Sequence, residues 1–261
     1  MVNYVIYFFI VLAATTVGAI TGMGGGVIIK PLLDVLKGFD VATISLLSSI
    51  SVLAMAIVSV LKQIQQKVKI NYNIAIPLAL GSVAGGIAGQ KMLTLAIKWL
   101  DANSKVTVVQ NIALAILIIA VFFYMLNKSK IRTLGITSIF TVVIVGIFLG
   151  LISAFLGIGG GPINVALLIF VFSFDIKTAT ICSIITILFA QISKLLSVAL
   201  SVNDKIYDLS MLPPMVIAAV AGGFLGSWLN KKLSEKTVEI CFNGVQILVF
   251  LICTYNIISN N

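Results

Sequence analysis

Eight apolar stretches, at 4–20, 41–61, 74–95, 106–126, 134–156, 176–202, 209–229 and 238–258, fill most of this chain and carry almost no charge. Each is long enough to cross about 30 Å of hydrocarbon as a helix. Lipid offers the backbone no hydrogen bonds, so a spanning segment has to close its own, and a helix does so. Two further apolar runs, at 27–36 and 163–172, have only about ten residues, or about 15 Å of helix. The expected fold is an all-α membrane protein of eight spans and two half-length helices. Composition agrees: 60% of the 261 residues are apolar and 10% charged, whereas a soluble domain needs about a quarter charged.

The net charge of +9 suggests nucleic acid until its placement is considered. The basic residues cluster between apolar runs, as at Lys62, Lys67 and Lys69, or Lys128, Lys130 and Arg132. Loops beside anionic lipid look like this. No basic stripe is interleaved with aromatics, so the expected surroundings are a lipid bilayer and not nucleic acid. The chain has no histidine, which removes the commonest proton shuttle and metal ligand. Cys182, Cys241 and Cys253 lie inside apolar runs without a CxxC pair, as small buried hydrophobes do. No cofactor and no metal are implied. The first run lacks a basic leader and a cleavage site and is expected to belong to the mature fold.

The chain repeats itself. A shift of 135 residues lays Gly22-Met23-Gly24-Gly25-Gly26 on Gly157-Ile158-Gly159-Gly160-Gly161 and Phe39-Asp40-Val41 on Phe174-Asp175-Ile176. Between 22 and 53 this gives 13 identities in 32 positions without a gap. With the shift grown to 137, Pro77 meets Pro214, and Gly85, Gly86 and Gly89 meet Gly222, Gly223 and Gly226. Two homologous membrane repeats are expected, 1–133 and 134–261, forming one integral domain. If each glycine cluster is the tip of a re-entrant hairpin followed by three spans, the repeats are inverted. Ten basic residues (Lys62, Lys67, Lys69, Lys128, Lys130, Arg132, Lys177, Lys231, Lys232 and Lys236) then face one side and six (Lys30, Lys37, Lys91, Lys98, Lys105 and Lys205) the other, with Lys194 set aside inside a helix. Continuous spans would divide them seven to nine. The positive-inside bias favours the hairpins, with both termini outside an inner (plasma) membrane.

Glycines so close together destabilise a helix by roughly 1 kcal/mol each relative to alanine. Unwound backbone at membrane depth is tolerated where protein shields it or a wet cavity adjoins it. The short helix that follows presents N–H groups without internal partners, and these together with the helix dipole attract an anion. Gly22, Gly24, Gly25, Gly26, Gly157, Gly159, Gly160 and Gly161 are therefore the candidate binding residues, with close helix packing as the alternative reading. Thr21, Thr43, Ser48, Asn164, Thr178, Ser183 and Gln191 are the polar candidates near the breaks, Asn164 foremost because it lies in the first turn after the second cluster; the hydroxyls otherwise read as bonding their own backbone or a neighbouring helix. Gly85, Gly86 and Gly89, with Gly222, Gly223 and Gly226, sit in mid-span and are expected to serve packing.

Asp40 and Asp175 are the matched acids, each placed to cap a long helix or to take part in ion coupling. The remaining acids, Asp34, Asp101, Asp204, Asp208, Glu235 and Glu239, read as loop-edge residues. Lys194 reads as a snorkelling lysine. No nucleophile, base or metal set with workable spacing appears, so the chain is not expected to be an enzyme. A transporter of a small anionic solute fits best, and a membrane scaffold or assembly subunit without transport activity is the alternative.

At GAITGMGGGVIIKPLL (18–33) and its echo SAFLGIGGGPINVALL (153–168) the chain resembles the sulfite exporter TauE/SafE family. The resemblance extends over the whole chain, duplication included. It implies transport of sulfite, a sulfonate or a related organosulfur anion, and carries the glycine motifs onto the eight glycines above. The second copy has Ala166 where the first has Pro31, and Pro162 four residues earlier, so the half-sites are not identical.

Overall fold

The structure, a computed structural model, describes residues 2–36, 38–68, 71–100, 103–200 and 207–260, and among these it is wholly helical. The helices are α1 (Val2–Thr21), α2 (Gly26–Leu36), α3 (Val41–Gln65), α4 (Tyr72–Leu100), α5 (Asn103–Asn127), α6 (Ile139–Leu156), α7 (Pro162–Phe172), α8 (Ile176–Leu200), α9 (Leu212–Lys232) and α10 (Glu235–Asn260). Eight are long and apolar enough to cross a bilayer, while α2 and α7 have 11 residues each. The chain is a multi-pass membrane protein. Lys37, Lys69, Asp101, Asp204 and Lys205 lie outside the described residues.

Helix ends follow local chemistry. Asp40 caps α3 by accepting from the Thr43 N–H at 3.2 Å. Asp175 does the same for α8, accepting from the N–H groups of Lys177 (3.0 Å) and Thr178 (2.9 Å) and from the Thr178 hydroxyl (2.6 Å). Pro162 opens α7, where its missing N–H leaves no bond unmade. Gly157 closes α6 in the left-handed region and donates its N–H to the Ala154 carbonyl at 3.2 Å.

The mid-span glycines do pack. A methyl group on Gly81, Gly85 or Gly89 of α4 would run into the backbone of α6 near Val143, Ile147 and Leu151 in turn. On Gly222 or Gly226 of α9 it would meet α1 at Thr15 and Thr16. Contacts rise together along both members of each pair, so α4 runs parallel to α6, and α9 to α1. Such seams suit lipid, where association depends on close van der Waals approach. Gly86 faces Ala190 and Ser193 of α8, and Gly223 faces Met55 of α3. Each contact therefore recurs with the halves exchanged: α4 on α6 and α8, α9 on α1 and α3. At the centre α3 crosses α8 in the opposite direction, with Lys194 on Ser45 and Ser49, and Val52 and Ile187 both against Gly24.

Candidate functional site

The two glycine clusters are unwound where the sequence places them. Gly22 and Gly24 have φ of +76° and +70°, and Gly157, Gly159 and Gly160 have +68°, +65° and +121°. Side chains with a Cβ rarely adopt this region. Gly161 is extended and Gly26 already begins α2.

The breaks meet each other. A methyl group on Gly24 would lie 2.9 Å from the Gly159 carbonyl oxygen, one on Gly26 would strike the Ile158 carbonyl, and one on Gly160 would approach the Met23 carbonyl to 3.3 Å. Gly25 instead abuts α1 at Thr15. The starts of α2 and α7 thus stand together at the heart of the bundle, closed over by Val52 and Ile187, and every residue from Thr21 to Pro31 is buried.

Unwound carbonyls in such a place need donors. Ser183 and Thr180 of α8 donate to the carbonyls of Gly22 (2.6 Å) and Thr21 (3.3 Å). At equivalent positions before the two breaks, the Ile20 carbonyl accepts from the Asn230 amide and the Phe155 carbonyl from the Gln110 amide, both at 2.6 Å. Thr21 donates its hydroxyl to the Val17 carbonyl at 2.8 Å. Asn164 is buried in the first turn of α7, and its Oδ1 has no hydrogen-bond partner among the described residues. Glycines, Thr21 and Asn164 are therefore brought together. Asp40 and Asp175 stand apart at the outer starts of α3 and α8, spent on capping.

Three charged side chains depart from expectation. Asp34 is not a loop-edge acid: it is 5% exposed inside α2 and paired with Lys30 at 2.8 Å. Lys30 is 2% exposed and so belongs to neither surface, which leaves the basic split at ten to five. Lys194 does not snorkel. It is 1% exposed and donates to the hydroxyls of Ser45 (2.8 Å) and Ser49 (2.6 Å) and to the Ser45 carbonyl (3.4 Å). Asn111 of α5 donates to Asp34 at 3.3 Å, and Asn256 of α10 to the Pro31 carbonyl at 2.8 Å. The four-residue spacing of Lys30 and Asp34 is an ion-pair signature on a helix and was the available signal. The two asparagines carry none.

The profile of the sulfite exporter TauE/SafE family matches residues 7–252. The chain belongs to this family. A curated relative of the TauE/SafE chain, "Probable membrane transporter protein YunE" of Bacillus subtilis (strain 168), is 25% identical over 275 residues that cover 95% of this chain and 96% of the relative. No solved structure matches. Membership places the TauE/SafE chain among membrane transporters and not among enzymes. For such a chain the site has a chemical capacity of its own: two helix starts and a buried ammonium suit an anion better than a cation.

Proposed function

We propose that this chain carries a small anion (sulfite, a sulfonate or a related sulfur-containing anion) across the plasma membrane, binding it near the midplane between the two glycine breaks. The observation that carries the reading is the approach of Gly24 to Gly159, which sets the N-terminal ends of α2 and α7 against each other. Each end adds a partial positive charge of roughly half a unit, and neither needs a basic side chain to hold an anion. Two inverted repeats, each a re-entrant hairpin plus three spans, account for the arrangement. The opposite directions of the counterparts α3 and α8 support this, because continuous spans would make the two run the same way. Inverted repeats with discontinuous helices are the usual architecture for a midplane site reached from either face in turn.

The test is flux. Purified protein in liposomes, loaded with sulfite, methanesulfonate or ethanesulfonate, is expected to release at least one of them faster than protein-free liposomes, and to leave neutral solutes such as glycerol inside. Absence of flux for the whole anion panel, from protein that is folded and inserted, would count for the scaffold reading.

A further inference from the structure

Lys194 is the one buried cation of the described residues that no carboxylate balances. Lys30, also buried, is matched by Asp34 at 2.8 Å, and the other ion pair among the described residues joins Lys128 to Glu239. An ammonium inside a bilayer with only hydroxyls and a carbonyl for company is costly to keep and marks function. Its place is specific. Ser45, whose hydroxyl it holds, lies where a methyl group on Gly157 would come within 2.7 Å of that hydroxyl, so the charge abuts the second break. Around it the polar groups are under-used. Ser48, fully buried on the same face of α3, has a hydroxyl without a partner among the described residues. Gln191, one turn before Lys194 on α8, reaches Gly159 with its amide nitrogen, a donor held only by a long 3.5 Å contact to the Ser153 hydroxyl. Buried polar groups left open in this way point to a ligand not yet seated.

Resting on the carrier reading above, we infer that Lys194 is the fixed positive charge of the anion site. The substrate's anionic group exchanges places with Ser45 and Ser49 on the ammonium, within reach of Ser48 and Gln191. Charge then enters the site balanced, and a neutral molecule of the same shape leaves the ammonium uncompensated. Lys194 thus sets selectivity for anions over neutral isosteres, while the glycines provide the space.

Methanesulfonate and dimethyl sulfone, near in shape and different in charge, are the probes. In the purified full chain, affinity is read from the ligand-dependent melting shift or from competition with a transported anion. The wild type is expected to prefer methanesulfonate, Lys194→Arg to keep the preference, and Lys194→Met and Lys194→Gln to weaken methanesulfonate binding at least roughly 30-fold, as loss of one partner of a buried charge pair does. Dimethyl sulfone should be little affected. The double change Ser45→Ala with Ser49→Ala removes the ammonium's two hydroxyl partners and keeps its charge, so methanesulfonate binding should persist. Folded Lys194→Gln or Lys194→Met protein with methanesulfonate affinity within about threefold of wild type would overturn the inference and leave the carrier reading intact. If both neutral variants fail to fold, loss of methanesulfonate binding in the folded double serine variant, with stability otherwise kept, overturns it as well, and persistence supports it. A wild type that binds and moves no anion removes the carrier reading itself, and the inference with it.

Discussion

Lys30 and Asp34 face each other one helical turn apart, 2.8 Å between Nζ and Oδ2, with both side chains almost wholly shielded. Breaking a buried pair by removing one partner strands the other, at a cost of about 3–5 kcal/mol. Asp34→Asn is therefore expected to destabilise the protein by that order, measured by thermal or denaturant melting in detergent. Lys30→Met combined with Asp34→Leu should recover most of the loss, because no charge is then left unpaired. A double variant as unstable as the single one would show that the pair does more than balance itself.

The matched acids Asp40 and Asp175 are expected to be dispensable for coupling. Asparagine caps a helix about as well as aspartate, whereas alanine costs about 1 kcal/mol. Asp40→Asn and Asp175→Asn should keep both fold and flux, and the alanine variants should lose about that much stability. Anion release should follow voltage, worth about 2.3 kcal/mol per charge per 100 mV, and not an imposed pH gradient. The decisive measurement is flux from proteoliposomes at clamped potential with the proton gradient varied. Flux that tracks pH and stops in the asparagine variants would make these acids couplers.

At Asp175 burial pushes the carboxyl up, and hydrogen bonds from Thr178 and Lys177 outweigh it and hold the group below the usual carboxylate range. A pKa depressed on folding gives stability that is present above the unfolded value and lost as pH falls through the folded one. Asp175→Asn should accordingly flatten the acid limb of the stability profile, and leave neutral pH nearly unchanged.

Much of this was legible because membranes and glycines leave few alternatives. Span positions follow from hydropathy, since an apolar run of this length closes its own backbone bonds in lipid as a helix. The unwound segments follow from Gly24 and Gly159, because positive φ and close approach both exclude a Cβ. The buried charges were not legible. Lys30 and Asp34 lie near the end of an apolar run, and sequence order does not say that α10 and α5 cover that end with Asn256 and Asn111. Lys194 has Ala190 and Val198 four residues away on either side, so nothing local announces a partner. Its partners come from α3, 145 and 149 residues earlier.

Substitutions should sort the glycines by what each faces. Gly161 is extended, and a methyl group there meets only the flexible Ile158 Cδ1 at 3.1 Å, so Gly161→Ala should melt within a few degrees of wild type. Gly26→Ala drives a methyl into the Ile158 carbonyl and should abolish transport by forcing the breaks apart. Gly86→Leu and Gly223→Leu should lower stability through lost packing against α8 and α3. Gly25→Leu and Gly160→Leu are expected to end transport while still inserting, as judged by membrane extraction and flux. Full transport by both would refute the site.

Topology has a direct test. Single cysteines at Gln66 and Ser129 should label from the cytoplasm and one at Ser104 from outside, in a background with Cys182, Cys241 and Cys253 replaced. If Gln66 and Ser104 react from the same side, the hairpin arrangement is wrong.

The seam between α1 and α9 has a consequence for biosynthesis. Chains enter the membrane in order of synthesis, and domains fold as they emerge. Here α1 is made first, yet the surface that Thr15 and Thr16 present to Gly222 and Gly226 stays bare until roughly two hundred further residues have been translated. The nascent first half holds an unfilled groove in lipid throughout that interval. A chain that stops before α9 would stay exposed to quality-control proteases, and supplying α9 and α10 as a separate chain should rescue it.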